Sequence, residues 1–148
     1  MNLDKLREEL AEDEGCKYEI YLDHLGLPTM GIGHLITKDD PEYCKDVGSV
    51  VEQSRVQSAF NLDIAVTLED CQRLYKDFND LPEEVQLIIA NMMFNLGRPR
   101  LSKFIRMREN VIKHDWKGAE SEMRNSKWFS QVPNRAERLC TRMGNISV

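Results

Sequence analysis

Apolar residues recur at helical spacing from the start of the chain, at Leu3, Leu6 and Leu10, behind Asn2 or Asp4 as caps and ahead of Gly15. The period then changes. Lys17–Leu22 alternates, with Tyr18, Ile20 and Leu22 on one face and Lys17, Glu19 and Tyr21 on the other, which predicts a strand. Asp23-His24-Leu25-Gly26-Leu27-Pro28 reads as the turn, and residues 29–36 as one strand returning beside the first. Gly31 and Gly33 fall on one face of that strand. Glycine weakens a strand, so the pair marks a backbone that another group approaches closely.

Beyond Thr37-Lys38-Asp39-Asp40-Pro41 the pattern is helical throughout, and Pro41 suits a first helical position behind an aspartate cap. An amphipathic segment over residues 52–78 uses Val56, Phe60, Ile64, Leu68, Cys71, Leu74 and Tyr75, and is long enough to join two lobes. Asn79-Asp80-Leu81-Pro82 interrupts it, and a new helix runs to Leu96, with Gly97 as its stop. Residues 85–94 are apolar almost all round, which marks a buried central helix. Shorter helices are expected over 102–113, 115–124 and 133–143, the last opened by Pro133. The fold class is therefore α+β and mostly helical, with a small N-terminal β-hairpin. Residues 1–148 form a single domain, divided into a hairpin lobe at 15–51, a helical lobe at 1–14 and 79–148, and a connecting helix at 52–78.

The 148 residues are enough to bury about two thirds of the unfolded surface, so no staples are needed for a core. No apolar run approaches the roughly 20 residues of a membrane span, so no membrane insertion is expected. The amphipathic, acidic N-terminus is unlike a secretory signal peptide, and the expected location is a host cytoplasm. The four cysteines, Cys16, Cys44, Cys71 and Cys140, lie far apart with no C-x-x-C pair, which argues for reduced thiols and against a zinc site. The net charge of −5 is unevenly spread: residues 1–97 carry 8 Lys/Arg against 20 Asp/Glu, and residues 98–148 carry 12 against 5. A basic C-terminal half can face an anionic polymer. No interleaving of aromatic and basic residues supports nucleic acid as that polymer.

The candidate chemistry lies in the first 34 residues. Glu14 ends a helix, where the macrodipole favours the protonated carboxyl over the charged one. Asp23 closes the first strand nine residues later. One carboxyl group held protonated and a second held ionised across a scissile bond is what glycosidic cleavage requires. Taken alone, a glutamate at a helix end is most often solvated surface, and Thr29 reads most simply as a β-branched strand residue.

A resemblance carries these residues further. Asp13-Glu14-Gly15, Tyr21-Leu22-Asp23, Thr29 and Gly31-Ile32-Gly33-His34 are similar to the signature of the T-even bacteriophage lysozymes, the phage-type muramidases. A second block, Asn91-Met92-Met93-Phe94-Asn95-Leu96-Gly97, then Phe104, Trp116, Trp128-Phe129 and Gln131-Val132-Pro133-Asn134-Arg135-Ala136, extends the likeness over nearly the whole chain. The resemblance implies a two-lobed lysozyme-like fold with a cleft between the lobes. It implies hydrolysis of the β-1,4 bond between N-acetylmuramic acid and N-acetylglucosamine in bacterial peptidoglycan, by an endolysin that reaches the wall after release.

Glu14 then becomes the general acid, Asp23 the group that assists water, and Thr29 the hydroxyl that helps hold that water. The course would be inverting, with carboxyl groups roughly 6.5–9.5 Å apart. Arg135 matches an arginine paired with the acid, and Asn95 stands where a glutamine lies near that pair. Leu35 and Phe94 match positions that line the saccharide cleft. His34 and Asp63 match an ion pair between hairpin and long helix. No metal or organic cofactor is called for, and the expected partner is peptidoglycan, bound by a monomer.

The departures are specific. Met107 and Glu122 stand where the family uses small polar side chains against sugar, and the family's best-known members are strongly basic overall, unlike this chain. Two other readings stay open from sequence: a lytic transglycosylase, which cleaves the same bond without water, and an inactive wall-binding module.

Overall fold

The computed structural model describes residues 1–147 and divides into two compact units, one of Arg7–Val66 and one of Met1–Leu6 with the described chain from Thr67 onward. The division falls inside helix α1 (Leu3–Glu14) and again inside helix α2 (Gln53–Leu74).

In the first unit, β1 (Lys17–Leu22), β2 (Pro28–Gly31) and β3 (His34–Leu35) form an antiparallel meander in the order β1-β2-β3. The single return strand expected over residues 29–36 is therefore two strands. Gly31 and Gly33 take φ of +59° and +63°, left-handed values that let the chain reverse between Met30 and His34, which pair with each other. Gly31 also lies so close to Val56 of α2 that an added Cβ would come within 2.8 Å of it.

Alternation along β1 is imperfect. The register shifts between Lys17, opposite Gly31, and Ile20, opposite Met30, so residues 18 and 19 bulge out. Tyr18 is exposed for that reason, and Leu22, at the strand end, is exposed too; only Ile20 of the expected apolar face is buried.

Residues 37–52 contain no helix, contrary to the reading of Pro41 as a helix start. Asp40 does not cap forward. Its carboxylate accepts from the Thr37 amide at 2.8 Å and faces His34 and Arg55, leaving a series of tight turns. The segment then runs beside β1, where Ile20 N–H bonds Ser49 O and Val51 N–H bonds Tyr18 O.

The second unit is helical. After a short 3-10 turn at Phe78–Asp80, α3 (Glu83–Leu96) supplies its centre, with Val85, Leu87, Ile88, Ile89, Ala90, Met92 and Met93 all buried. Around it are α4 (Arg98–Leu101), α5 (Ile105–Ile112), α6 (Trp116–Arg124), α7 (Lys127–Gln131) and α8 (Pro133–Gly144). Helices α4 and α7 are too short for periodicity to reveal. Cys71 and Cys140 are buried in this unit, and burial pushes their thiols up to about 12 and about 11; Cys16 and Cys44, both in the other unit, are exposed.

Candidate active site

Glu14, Asp23 and Thr29 all lie in the 7–66 unit: Glu14 beside the β2–β3 turn, Asp23 in the β1–β2 turn and Thr29 on β2. Glu14 is the last residue of α1, and the next amide, Gly15 N–H, closes the helix on Ala11 O at 2.9 Å. Its carboxyl group rests against the bare Cα of Gly33. A Cβ built there would stand 2.6 Å from Glu14 Oε1 and 2.9 Å from its Cδ. The close approach expected at these glycines is thus made, at Gly33, by the chain's own carboxylate.

Asp23 organises the β1–β2 turn. Its Oδ1 accepts from the amides of Leu25 at 2.8 Å and Leu27 at 2.9 Å, while its own amide bonds Leu27 O at 3.0 Å. Neither of those two side-chain bonds uses Oδ2. Thr29 is buried, and its Oγ1 donates to Leu27 O at 2.9 Å. With its single proton committed there, the hydroxyl offers only lone pairs to anything else near it.

Strand register sorts the neighbouring residues into two rows. Tyr21 pairs with Thr29, and Thr29 pairs with Leu35, so these three side chains share one face. Leu35 is 47% exposed there. Ile20 pairs with Met30 and Met30 with His34, and this row occupies the opposite face. His34 Nδ1 lies 2.7 Å from Asp63 Oδ2 on α2, and its Nε2 lies 3.0 Å from Asp40 Oδ2. Arg55 extends the cluster, donating to Asp40 at 3.0 Å and to both oxygens of Glu42 at 2.9 Å.

The hydrogen bond to Asp63 raises the pKa of His34 against the opposing effect of burial, with Asp40 adding to it. Burial works against ionising Asp40, yet the Thr37 amide, His34 and Arg55 together hold its carboxyl below the usual range; Arg55 does the same for Glu42. Asp40, Glu42, Arg55 and the placement of Tyr21 were missed from sequence. For Tyr21 the available signal was its position on the polar side of an alternating strand, in register with Thr29.

In the helical unit, Arg135 is buried at the start of α8 and its Nε donates to Asn91 Oδ1 at 2.8 Å. Asn95 Oδ1 accepts from Trp128 Nε1 at 2.8 Å, and Trp128 meets Phe104 edge-on at 6.4 Å between centroids. Phe94 is half-buried on α3. A cavity of about 520 Å³ opens beside Trp128 and Phe104. Arg100, Lys103, Arg106 and Lys127 line it, with Met107 and Glu122 among its other walls. Met107 is only 1% exposed, so its thioether serves as core as well as wall. Among the described residues, no group of three or more His, Cys, Asp or Glu is arranged to hold a metal ion, and no helix is long and apolar enough to cross a membrane.

A family model described as phage lysozyme matches residues 11–142. The chain is 33% identical to the "Probable T4-type lysozyme 2" of Dictyostelium discoideum, over 90% of each chain. It is 27% identical to the pre-baseplate central spike protein Gp5 of Enterobacteria phage T4, over 90% of this chain and 26% of that one. It is 28% identical to the peptidoglycan hydrolase gp36 of Pseudomonas phage phiKMV, over 93% of this chain and 15% of that one.

Proposed function

The chain belongs to the phage lysozyme family and is a glycoside hydrolase, and on that premise we propose that it cleaves the muramic acid–glucosamine β-1,4 bond of peptidoglycan by direct displacement with water. Glu14 is the general acid and gives its proton to the leaving glycosidic oxygen as the C1–O bond breaks. Asp23, through Oδ2, takes a proton from the water whose oxygen attacks C1 from the opposite side. Thr29 Oγ1 accepts the water's second hydrogen. The products carry inverted configuration at C1.

The observation that carries this reading is the hydrogen bonding of Thr29 and Asp23. Thr29 has spent its proton on Leu27 O, and Asp23 Oδ1 is occupied by two turn amides. A water between them must donate to both, which leaves its lone pair for carbon. The turn that fixes one group also fixes the other, so water is oriented before substrate arrives. In the helical unit, the cavity with four cations suits the carboxylate-bearing peptides of the wall polymer.

Digestion of purified peptidoglycan tests the reaction. Free reducing muramic acid ends, formed as the α anomer, are the expected product. Anhydro-muramic ends would assign a transglycosylase, and binding without cleavage would assign a wall-binding module.

A further inference from the structure

Helix α6 divides its charged residues between two sides. Glu120 and Arg124, one turn apart, form an ion pair, and Arg124 also reaches Glu137 of α8. Glu122 lies midway between them in sequence, about 200° around the helix from each. It therefore points the other way, and it is half-buried in the wall of the cavity of about 520 Å³ beside Trp128. Arg100, Lys103, Arg106 and Lys127 line the same cavity. Arg100 is braced across from α4 to α7, where Gln131 Oε1 accepts from it at 3.0 Å. Among the described residues, Glu122 forms no hydrogen bond or ion pair with any of these cations, although all line one hollow. Opposite charges are thus held apart around a space of the size that small ligands occupy.

Resting on the reading that the chain acts on peptidoglycan, we propose that this cavity binds the diamino acid of the wall's stem peptide, and that Glu122 is the residue that selects it by pairing with its free side-chain ammonium. The four cations receive the carboxylates around that ammonium. A cavity of cations alone would accept any polyanion, phosphate polymers included. A half-buried carboxylate placed among them weakens such ligands, and its position is favourable only when the ligand brings a cation of its own. Diaminopimelate in a stem peptide does so, because the end of its side chain carries an ammonium and a carboxylate on one carbon. Further carboxylates stand on its own backbone and on the neighbouring glutamate. Several carboxylates around one ammonium complement several cations around one carboxylate.

The probe is N-acetyl-L-alanyl-γ-D-glutamyl-meso-diaminopimelate, with its side-chain amine either free or acetylated, titrated by calorimetry at low salt. Neither peptide has a glycosidic bond, so binding is read without turnover. Wild type should bind the free amine about 3–10-fold more tightly than the acetylated form, a margin between that of an exposed ion pair and that of a buried one. Glu122→Gln, or Glu122→Ser if the first variant melts early, should bring the two affinities within about twofold of each other. Lys103→Gln with Arg106→Gln should weaken both peptides alike. The proposal is overturned if wild type does not distinguish the peptides, or if the free-amine peptide shows no saturable binding. It is also overturned if Glu122→Gln changes both affinities by the same factor, which is the result of simple repulsion between Glu122 and anions. Cleavage of peptidoglycan without this coupling would remove this inference alone, whereas the coupling without cleavage would remove the muramidase reading and leave the peptide site standing.

Discussion

The two faces of the three-stranded sheet use the same backbone for opposite purposes. On one face Tyr21, Thr29 and Leu35 stand in a row, and the charges of Glu14 and Asp23 act on Tyr21. On the other, Ile20 and Met30 are fully buried, and His34 engages two carboxylates, one of them on α2. Residues 29 and 30 are adjacent in sequence yet belong to different faces, because side chains alternate along a strand. On the proposed assignment, chemistry and stability are separated at one-residue resolution, and substitutions on the two faces should fail in different assays.

The sharpest separation is expected at Glu14, the proposed acid. Glu14→Gln is nearly isosteric and removes the donatable proton, so wall lysis should fall by about 10²–10⁴ while the melting temperature stays within a few degrees. Wild-type lysis by this variant would break the assignment of chemistry to this face. Thr29→Ala should lower kcat about 10–10²-fold by removing the acceptor for water, and Thr29→Ser should restore most of it. Equal losses in both variants, tracking stability, would make Thr29 a strand residue only.

The opposite face should answer to stability alone. His34→Gln or Asp63→Asn should destabilise by about 1–3 kcal/mol, read by denaturant melts, with activity per folded molecule unchanged. This effect depends on pH. The folded pKa of His34 is raised, so its contribution is complete below the unfolded value of about 6.5 and is lost as pH rises through the folded value. Asp40 and Glu42 are lowered, so theirs is complete above the unfolded value of about 4 and is lost as pH falls through the folded values. Stability should peak between about pH 4.5 and 6.5, and Asp63→Asn should flatten the alkaline side of the profile. A profile identical to wild type would show that the cluster does not couple to folding. The smallest effect belongs to Leu35→Ala on the face proposed to be active. Because Leu35 is half-exposed, the loss should stay within about 1 kcal/mol, seen as a KM increase of up to about fivefold.

Much of this was legible before any coordinates. The helix before Gly15, the long α2 and the buried α3 follow from apolar spacing, which packing does not override in long periodic segments; the strand Lys17–Leu22 was legible as an element, but its bulge leaves only Ile20 of the expected apolar face buried. The hairpin at residues 31–33 was not legible as a reversal, because 29, 31, 33 and 35 keep the same parity whether the strand runs on or turns at Gly31 and Gly33. Pro41 misled for a different reason. An aspartate before proline is a capping signal only if its carboxylate is free, and Asp40 is held by His34 and Arg55. That competition is decided by residues 6 and 15 positions away. The role given to Thr29 came from resemblance, and the commitment of its hydroxyl proton to Leu27 O required coordinates.

The cysteines carry a practical consequence. Both thiols of the helical unit are buried and shifted far from ionisation, while both thiols of the 7–66 unit already face solvent. An alkylating reagent would therefore modify Cys16 and Cys44 at once, and Cys71 and Cys140 only when the helical unit opens. With the first pair blocked, the rate of later modification is a clock for opening of one unit alone. The chain thus carries its own reporter for the helical unit and none for the unit that holds the candidate carboxylates.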